Sequence, residues 1–164
     1  IFVYNEDFEK TNCAYSFMKA RDFFSEGFIL LNCDLLFNQN SIKKILSSKS
    51  KNVIGARNNS SYQTDLQKIN VINNKIVEWS LELKNSNAEV MGPLKISSED
   101  TNKIINYFDS LSLTQREKMH CFSLFSNLIS QINYSPIYIN DKDWLEIDTP
   151  EDYKNANRIW SKTH

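Results

Sequence analysis

The chain has little with which to build a redox centre, a zinc site, a membrane span or a nucleic-acid surface. Its three cysteines, Cys13, Cys33 and Cys121, are widely spaced. They form neither a C-x-x-C pair nor a zinc-ligand pattern. An odd count without a secretion signal points to free thiols in a reducing cytoplasm. The formal net charge is -1, far from the basic excess that nucleic acid or an anionic membrane surface attracts. No apolar run reaches the roughly 18 residues of a spanning helix. "FILLNCDLLF" has the length of a buried strand instead. Initiator methionine and targeting segment are both missing, and the opening "IFVYN" reads as a strand entered midway. The expectation is a cytoplasmic single domain over residues 1–164, trimmed from something longer.

What is present is an alternation of strand and helix patterns in a chain 41% apolar, enough for a core. "FILLNCDLLF" is apolar on both faces until Asn32 and Asp34, which predicts a strand inside an α/β sheet. "SIKKILSSKS" predicts a short amphipathic helix capped at Asn40 or Ser41, and "NVIGA" the next strand. "LQKINVINNKIVEWSLEL" predicts a hairpin turning at Asn73-Asn74. "EVMGPLKIS" is a strand in which Pro93 demands an edge or a bulge. Helical spacing covers residues 16–24, 98–111, 114–131 and 149–160. "SPIYIND" and "DWLEID" are late strands. The fold class is α/β, with a mostly parallel sheet and an antiparallel hairpin insertion. Stretches near 58–61 and 85–87 read as loops, "KSK" and "NDKD" as solvated surface, and Trp160 as core.

The densest chemistry lies in "DWLEIDTPEDY". Two of its acids have a structural explanation. Thr149 can cap a helix with Pro150 at its first position, and Glu151 and Asp152 are favourable first-turn anions. Asp152 also fits the acidic position of a capping box. Capping leaves Glu146 and Asp148 unexplained. They alternate with Leu145 and Ile147, so on a strand they share one face, where two carboxylates repel unless a cation lies between them. Asp34 reads as an ordinary turn residue or as a ligand, since open α/β sheets bind ligands beyond the carboxyl ends of their strands. Asp34, Glu146 and Asp148 together, without His or Cys, would select a hard, oxygen-preferring cation. Mg²⁺ among such groups implies phosphoryl or nucleotidyl transfer.

At these residues the chain resembles the sugar-phosphate and alcohol-phosphate nucleotidyltransferases. "FILLNCDLLF" and the later "WLEIDTPEDYKNA" carry the resemblance, with "YNEDFEKTNCAYSFMKA" and "DLQKINVINNKIVEWSLEL" between and before them in the family's order. "AEVMGPLKIS" and "WLEID" are closer to the phosphocholine and 2-aminoethylphosphonate cytidylyltransferases than to the sugar enzymes. The resemblance implies a Rossmann-like nucleotidyltransferase fold, of which this chain would be the C-terminal two-thirds, N-terminally incomplete. It implies Mg²⁺ as cofactor, with CTP and a small phosphorylated or phosphonate acceptor as partners, and pyrophosphate as the product released. Carried over, Asp34 would bind Mg²⁺. Related subgroups place the second carboxylate at positions two apart, so Glu146 and Asp148 both stand. Lys68 would be the hairpin lysine that meets the acceptor, or else a solvated strand lysine. Glu89 and Gly92 would shape the acceptor pocket, Gly92 more simply by close backbone approach. Asn12 and Ser16 match the stretch after the nucleotide-side strand, though Ser16 also reads as a helix cap. Trp144 and Trp79 could line a pocket and stack on a base or a choline-like cation, with core packing as the ordinary alternative.

The departures are as informative. A "GxGxR" run followed by lysine, which wraps the triphosphate in the family, is absent from a chain with three glycines. Leu81 in "SLEL" stands where many members have lysine, and Cys33 where many have glycine. On this reading the chain alone is not a competent catalyst. Two alternatives follow: a degenerate, non-catalytic module of the same fold, and a metal-dependent nucleotide-sugar glycosyltransferase. Cys33-Asp34-Leu35 lacks the second acid of an Asp-x-Asp pair, which counts against the glycosyltransferase. His120 reads as a packing or surface residue, and Cys121 lacks the arrangement of a nucleophile.

Overall fold

The structure, a computed structural model, describes residues 1–58 and 66–160 without the side chain of Trp160. Part of the loop expected near 58–61, Asp65 of the hairpin motif and the Trp160 side chain lie outside the described residues. Chain order is α1 (Cys13–Met18), β1 (Phe28–Leu30), β2 (Leu35–Phe37), α2 (Gln39–Ser47), β3 (Asn52–Asn58), β4 (Lys68–Ile72), β5 (Lys75–Ser80) and β6 (Ala88–Ile96). Then come α3 (Ser98–Ser110), α4 (Leu113–Lys118), α5 (Cys121–Ser126), β7 (Tyr134–Tyr138), β8 (Trp144–Glu146) and α6 (Pro150–Trp160).

The main sheet runs β5-β4-β6-β3-β7, with β1 also on β6, and β2 and β8 form a separate ribbon. The α/β architecture and its hairpin are as expected. Strand direction departs from a mostly parallel sheet: β3–β7 is parallel, while β1–β6, β3–β6, β4–β5 and β4–β6 are antiparallel. The physical reason is connection length. A parallel neighbour needs a long crossover, and the parallel pair β3 and β7 is separated by the whole run from the hairpin through β6 to α5. The hairpin returns β6 directly beside β3 in the opposite sense.

Other departures are local. "FILLNCDLLF" is two strands, because a turn at Cys33 and Asp34 interrupts it. Residues 1–5 form no strand, and Ile1 and Phe2 lie in solvent. Residues 114–131 hold two short helices, since Ser112 and Gln115 close a capping box that starts α4 and the chain breaks again before Cys121. α2 is capped by Asn38 rather than by Asn40 or Ser41, its Oδ1 accepting from Asn40 N at 2.9 Å. The hairpin turn is where the sequence placed it. Asn73 and Asn74 both adopt positive φ (49° and 60°), the pair that matches the strands' twist in a two-residue turn.

Both faces of the sheet are covered. Alternate residues of β3 and β6 enter two cores. Ile54, Val90 and Leu94 join Ala14, Met18, Ile104, Phe108 and Phe125 from α1, α3 and α5. Val53 and Met91 join Ile45 of α2 and Ile139, with Phe37, Ile137 and Trp144 packed alongside. Each fully buried aliphatic side chain contributes about 1.5–3 kcal/mol, so these residues anchor the frame on which the ribbon sits.

β6 creates the opening that the ribbon fills. Its first residues pair with β4, at Ala88 and Glu89, and its last with β1, from Leu94 to Ile96. On that edge no described strand pairs with residues 91–93. On the other edge the β3 register shifts between Ile54 and Ala56, so Pro93, which has no N–H to give, sits in a bulge. Gly92 at its centre has φ 103°. A Cβ there would lie 2.2 Å from Leu35 Cδ1. The glycine therefore lets the first residue of the ribbon dock against the sheet.

Candidate functional site

The ribbon brings the three acids together. β2 and β8 pair antiparallel, with Leu35 opposite Glu146 and Phe37 opposite Trp144. Ile147 N donates to Asp34 O at 2.8 Å and extends the pairing by one step. Asp34 thus lies beyond the carboxyl end of β1, in the turn before β2, beside residues 146–148. One carboxylate oxygen each from Asp34, Glu146 and Asp148 lies within 4.8 Å of the other two. Asp34 Oδ1 is buried and has no hydrogen-bond partner among the described residues. Burial first, and then the neighbouring Asp148 and Asp34, raise the Glu146 carboxyl above its ordinary 4.5, against the opposing charge of Arg57. Converging oxygens, an orphaned buried lone pair and mutual repulsion are what a hard divalent cation relieves, and no thiol or imidazole competes in the set. The residues fit such an ion.

The following acids do a different job. Asp152 Oδ2 accepts from Thr149 N at 2.9 Å and from Thr149 Oγ1 at 2.7 Å, while Asp152 N donates to Thr149 Oγ1 at 3.2 Å. The reciprocal pair starts α6. Hydrogen bonds from Thr149, foremost its hydroxyl, hold the Asp152 carboxyl below its ordinary 3.8.

Beside the carboxylates lies a cleft of about 260 Å³. Trp144, Phe122, Leu81 and Met91 supply apolar wall, and Asn32, Gln67, His120 and Glu146 the polar groups. Glu146 belongs to both the cleft and the carboxylate cluster. Trp144 and Gly92 line the cleft, Trp144 with its Nε1 donating to Met91 O at 3.1 Å. The other residues singled out by sequence lie elsewhere. Glu89 is fully buried behind this wall, paired with Arg57. Lys68 stands opposite Glu89 on β4, one residue after Gln67. Asn12 caps α1, accepting from Cys13 N at 2.7 Å. Ser16 Oγ accepts from the buried Asn5 at 2.9 Å and pins the N-terminal segment. Trp79 is a core residue that meets Tyr134 edge to face.

Sequence reasoning missed His120 and Phe122 as cleft residues, and Arg57 altogether. Alternating cleft and core positions around the start of a short helix left no periodic signal for the first two. Arg57 carried one: a lone cation in the apolar run "NVIGARN", matched by Glu89 in "AEVMGPL", is the pattern of a buried ion pair across two strands.

No family model matches the chain. It superposes on the inositol-1-phosphate CTP transferase from T. maritima with a TM-score of 0.77 and 22% identity, over 96% of this chain and 64% of that one. The CTP:phosphocholine cytidylyltransferase from Streptococcus pneumoniae gives 0.73 and 14%, over 95% and 67%. The fold is that of the nucleotidyltransferases. In sequence, the chain is 21% identical over 175 aligned positions to CTP:phosphoglutamine cytidylyltransferase of Campylobacter jejuni subsp. jejuni, covering 92% of this chain and 69% of that protein. The resemblance read from the motifs therefore holds in the nucleotidyltransferase fold, Rossmann-like and α/β. This chain spans 64% of the T. maritima protein. Among the described residues, no helix is long and apolar enough to cross a membrane.

Proposed function

We propose that this chain carries the metal and acceptor side of a Mg²⁺-dependent nucleotidyltransferase. The reaction moves CMP from CTP to a phosphate or phosphonate oxygen of a small acceptor. A bond forms from that oxygen to the α-phosphorus, the bond to the β-phosphate breaks, and pyrophosphate leaves. One observation carries the reading: Glu146 is shared between the carboxylate cluster and the cleft, so a bound cation and a bound acceptor would be neighbours. Asp34, with Glu146 or Asp148 or both, would hold the ion. When bound, Mg²⁺ offsets the charge that grows on the α-phosphate. Trp144 and Gly92 would shape the acceptor's seat, and Lys68 is the cation we assign to its phosphate. Glu89 acts from behind the wall. We assign Asn12 and Ser16 to ordering the segment before α1, on the nucleotide side.

The test is Mg²⁺-dependent pyrophosphate release from CTP by this chain together with whatever flanks it in the natural reading frame. The acceptor panel is phosphocholine, 2-aminoethylphosphonate, a sugar phosphate, and the inositol 1-phosphate and phosphoglutamine named for the relatives. Asp34→Asn should lower turnover by at least about 100-fold with the melting temperature kept. Unchanged turnover would remove Asp34 from the mechanism. Leu81 supports one other reading. It lines the cleft at 44% exposure, where a lysine would meet phosphate, and it suits a module that binds without catalysis. That module would bind the cation and give no pyrophosphate with any acceptor.

A further inference from the structure

We propose that Arg57 is a positioning residue for the carboxylate cluster: held from behind by Glu89, it fixes Trp144 and, through Trp144, the strand that carries Glu146. The inference rests on the metal reading above and concerns a residue that reading does not use.

The ribbon needs such a device. The described ladders join β2 to β8 and neither of them to the main sheet. Arg57 stands at the end of β3, in register with Glu89 of β6. It is 8% exposed and Glu89 is fully buried. Arg57 Nε and Nη2 both meet Glu89 Oε2, at 2.9 and 2.8 Å. Glu89 Oε1 is left buried without a hydrogen-bond partner among the described residues. As a stabiliser of the fold this is a poor arrangement. Desolvating two charges is costly, half of the carboxylate is unsatisfied, and an apolar pair of similar volume would serve as well.

What the pair does achieve is direction. The guanidinium lies over the Trp144 ring, 5.7 Å from its centroid, within cation–π range. Its Nη1 lies 3.8 Å from Asp141 Oδ1. Both of these contacts fall on residues 141–144, the segment that leads into Glu146. Trp144 in turn donates to Met91 O at the bulge of β6. A charged, planar group fixed on β3 of the main sheet thus holds the first residue of β8 in place, and Glu146 follows two residues later.

Removing Arg57 alone would strand the buried Glu89 charge and strongly destabilise the fold. The test therefore uses the double variant Arg57→Met/Glu89→Leu, in which both positions are apolar, and Arg57→Lys, which keeps a paired charge but loses the planar fork. The first readout needs no metal. The Trp144 indole N–H, identified among the three tryptophans by its loss in Trp144→Phe, is followed by hydrogen exchange. The second is Mn²⁺ affinity, with Mn²⁺ alone as the probe. In a double variant whose melting temperature is kept, indole exchange should quicken and Mn²⁺ binding weaken, each by about tenfold. Arg57→Lys should move both in the same direction, by a smaller factor. Unchanged exchange, or unchanged Mn²⁺ affinity, in a folded variant overturns the proposal. If the wild-type chain bound no Mn²⁺, the nucleotidyl-transfer reading would fail by itself, and indole exchange would still decide whether Arg57 clamps Trp144.

Discussion

Asp152 and Glu146 lie six positions apart in the same acidic stretch, and their surroundings move their proton affinities in opposite directions. Asp152 is wrapped by the Thr149 hydroxyl and backbone N–H, which favour its charged form. Glu146 is pushed the other way, by burial and then by Asp148 and Asp34. The first acid is stabilised by the fold and helps to hold it. The second is tolerated by the fold at a cost. On the proposed reading, a bound cation would offset that cost. The same contrast separates the main sheet, with Val53, Ile54 and Leu94 fully buried, from the three-residue strands of the ribbon, none of whose residues is fully buried.

The largest test of this contrast removes the ribbon acids from the chemistry. Beyond the loss of turnover expected for Asp34→Asn, saturating Mg²⁺ should stabilise the wild-type chain. At a concentration 100 times the dissociation constant the gain is about 2.7 kcal/mol, read as a rise in melting temperature. Asp34→Asn should abolish that rise, and Thr149→Ala should leave it intact. A cation-dependent rise that survives Asp34→Asn would move the ion elsewhere. Next in size is Gly92→Ala. A non-glycine residue at φ 103° is strained, by about 1–3 kcal/mol. The new Cβ would also push Leu35 and with it the neighbouring Asp34. Denaturant melts should show the loss, and Mg²⁺ should restore less of it than in the wild type.

Much of this was legible in the sequence because the signals were local. The Asn73-Asn74 turn, the Thr149–Asp152 cap and the shared face of Glu146 and Asp148 follow from a turn dipeptide, a capping pattern and an alternation, whereas Asp34 was joined to them by its place beyond a strand end and by the family resemblance. What escaped was long-range. Nothing within "FILLNCDLLF" says that Gly92, on a distant strand, opens a seat for Leu35, or that the run breaks at Cys33 and Asp34. Strand direction depended on which segments became neighbours, a matter of connection length rather than of pattern. "IFVYN" has strand propensity and no described partner, and propensity without a partner does not make a strand. Glu89 was read from the resemblance as shaping the acceptor pocket, and the structure pairs it with Arg57, a residue 32 positions earlier that meets it only across the β3–β6 ladder.

Smaller effects sharpen the comparison from its two ends. Thr149→Ala removes the cap of α6 and should cost about 1 kcal/mol, with Mn²⁺ affinity unchanged. Glu146→Gln should do the reverse. It relieves a like-charge contact and should stabilise the metal-free chain by less than about 1 kcal/mol, because solvent screens a partly buried group, while cation binding weakens. Opposite outcomes in one stretch would separate the residues that build the helix start from the acid proposed to bind the cation.

The finest distinction is in the pH dependence. Glu146 binds its proton more tightly in the folded chain, so folded molecules hold more protons than unfolded ones from 4.5 upward to its raised value. Across that window its contribution to stability falls as pH rises. Asp152 is the mirror case. Its folded value lies below 3.8, so its contribution is present above 3.8 and is lost as pH falls through the lower value. General acid unfolding affects every variant, so the informative quantity is a difference. The stability of the wild type relative to Glu146→Gln, from denaturant melts without divalent cations, should improve as pH is lowered from 7 towards 4.5. Relative to Asp152→Asn it should hold steady over that range and worsen only below 3.8. A wild-type advantage over Glu146→Gln that grows with pH in metal-free buffer would show that the Glu146 charge is already compensated within the chain, leaving the cluster no call on a cation.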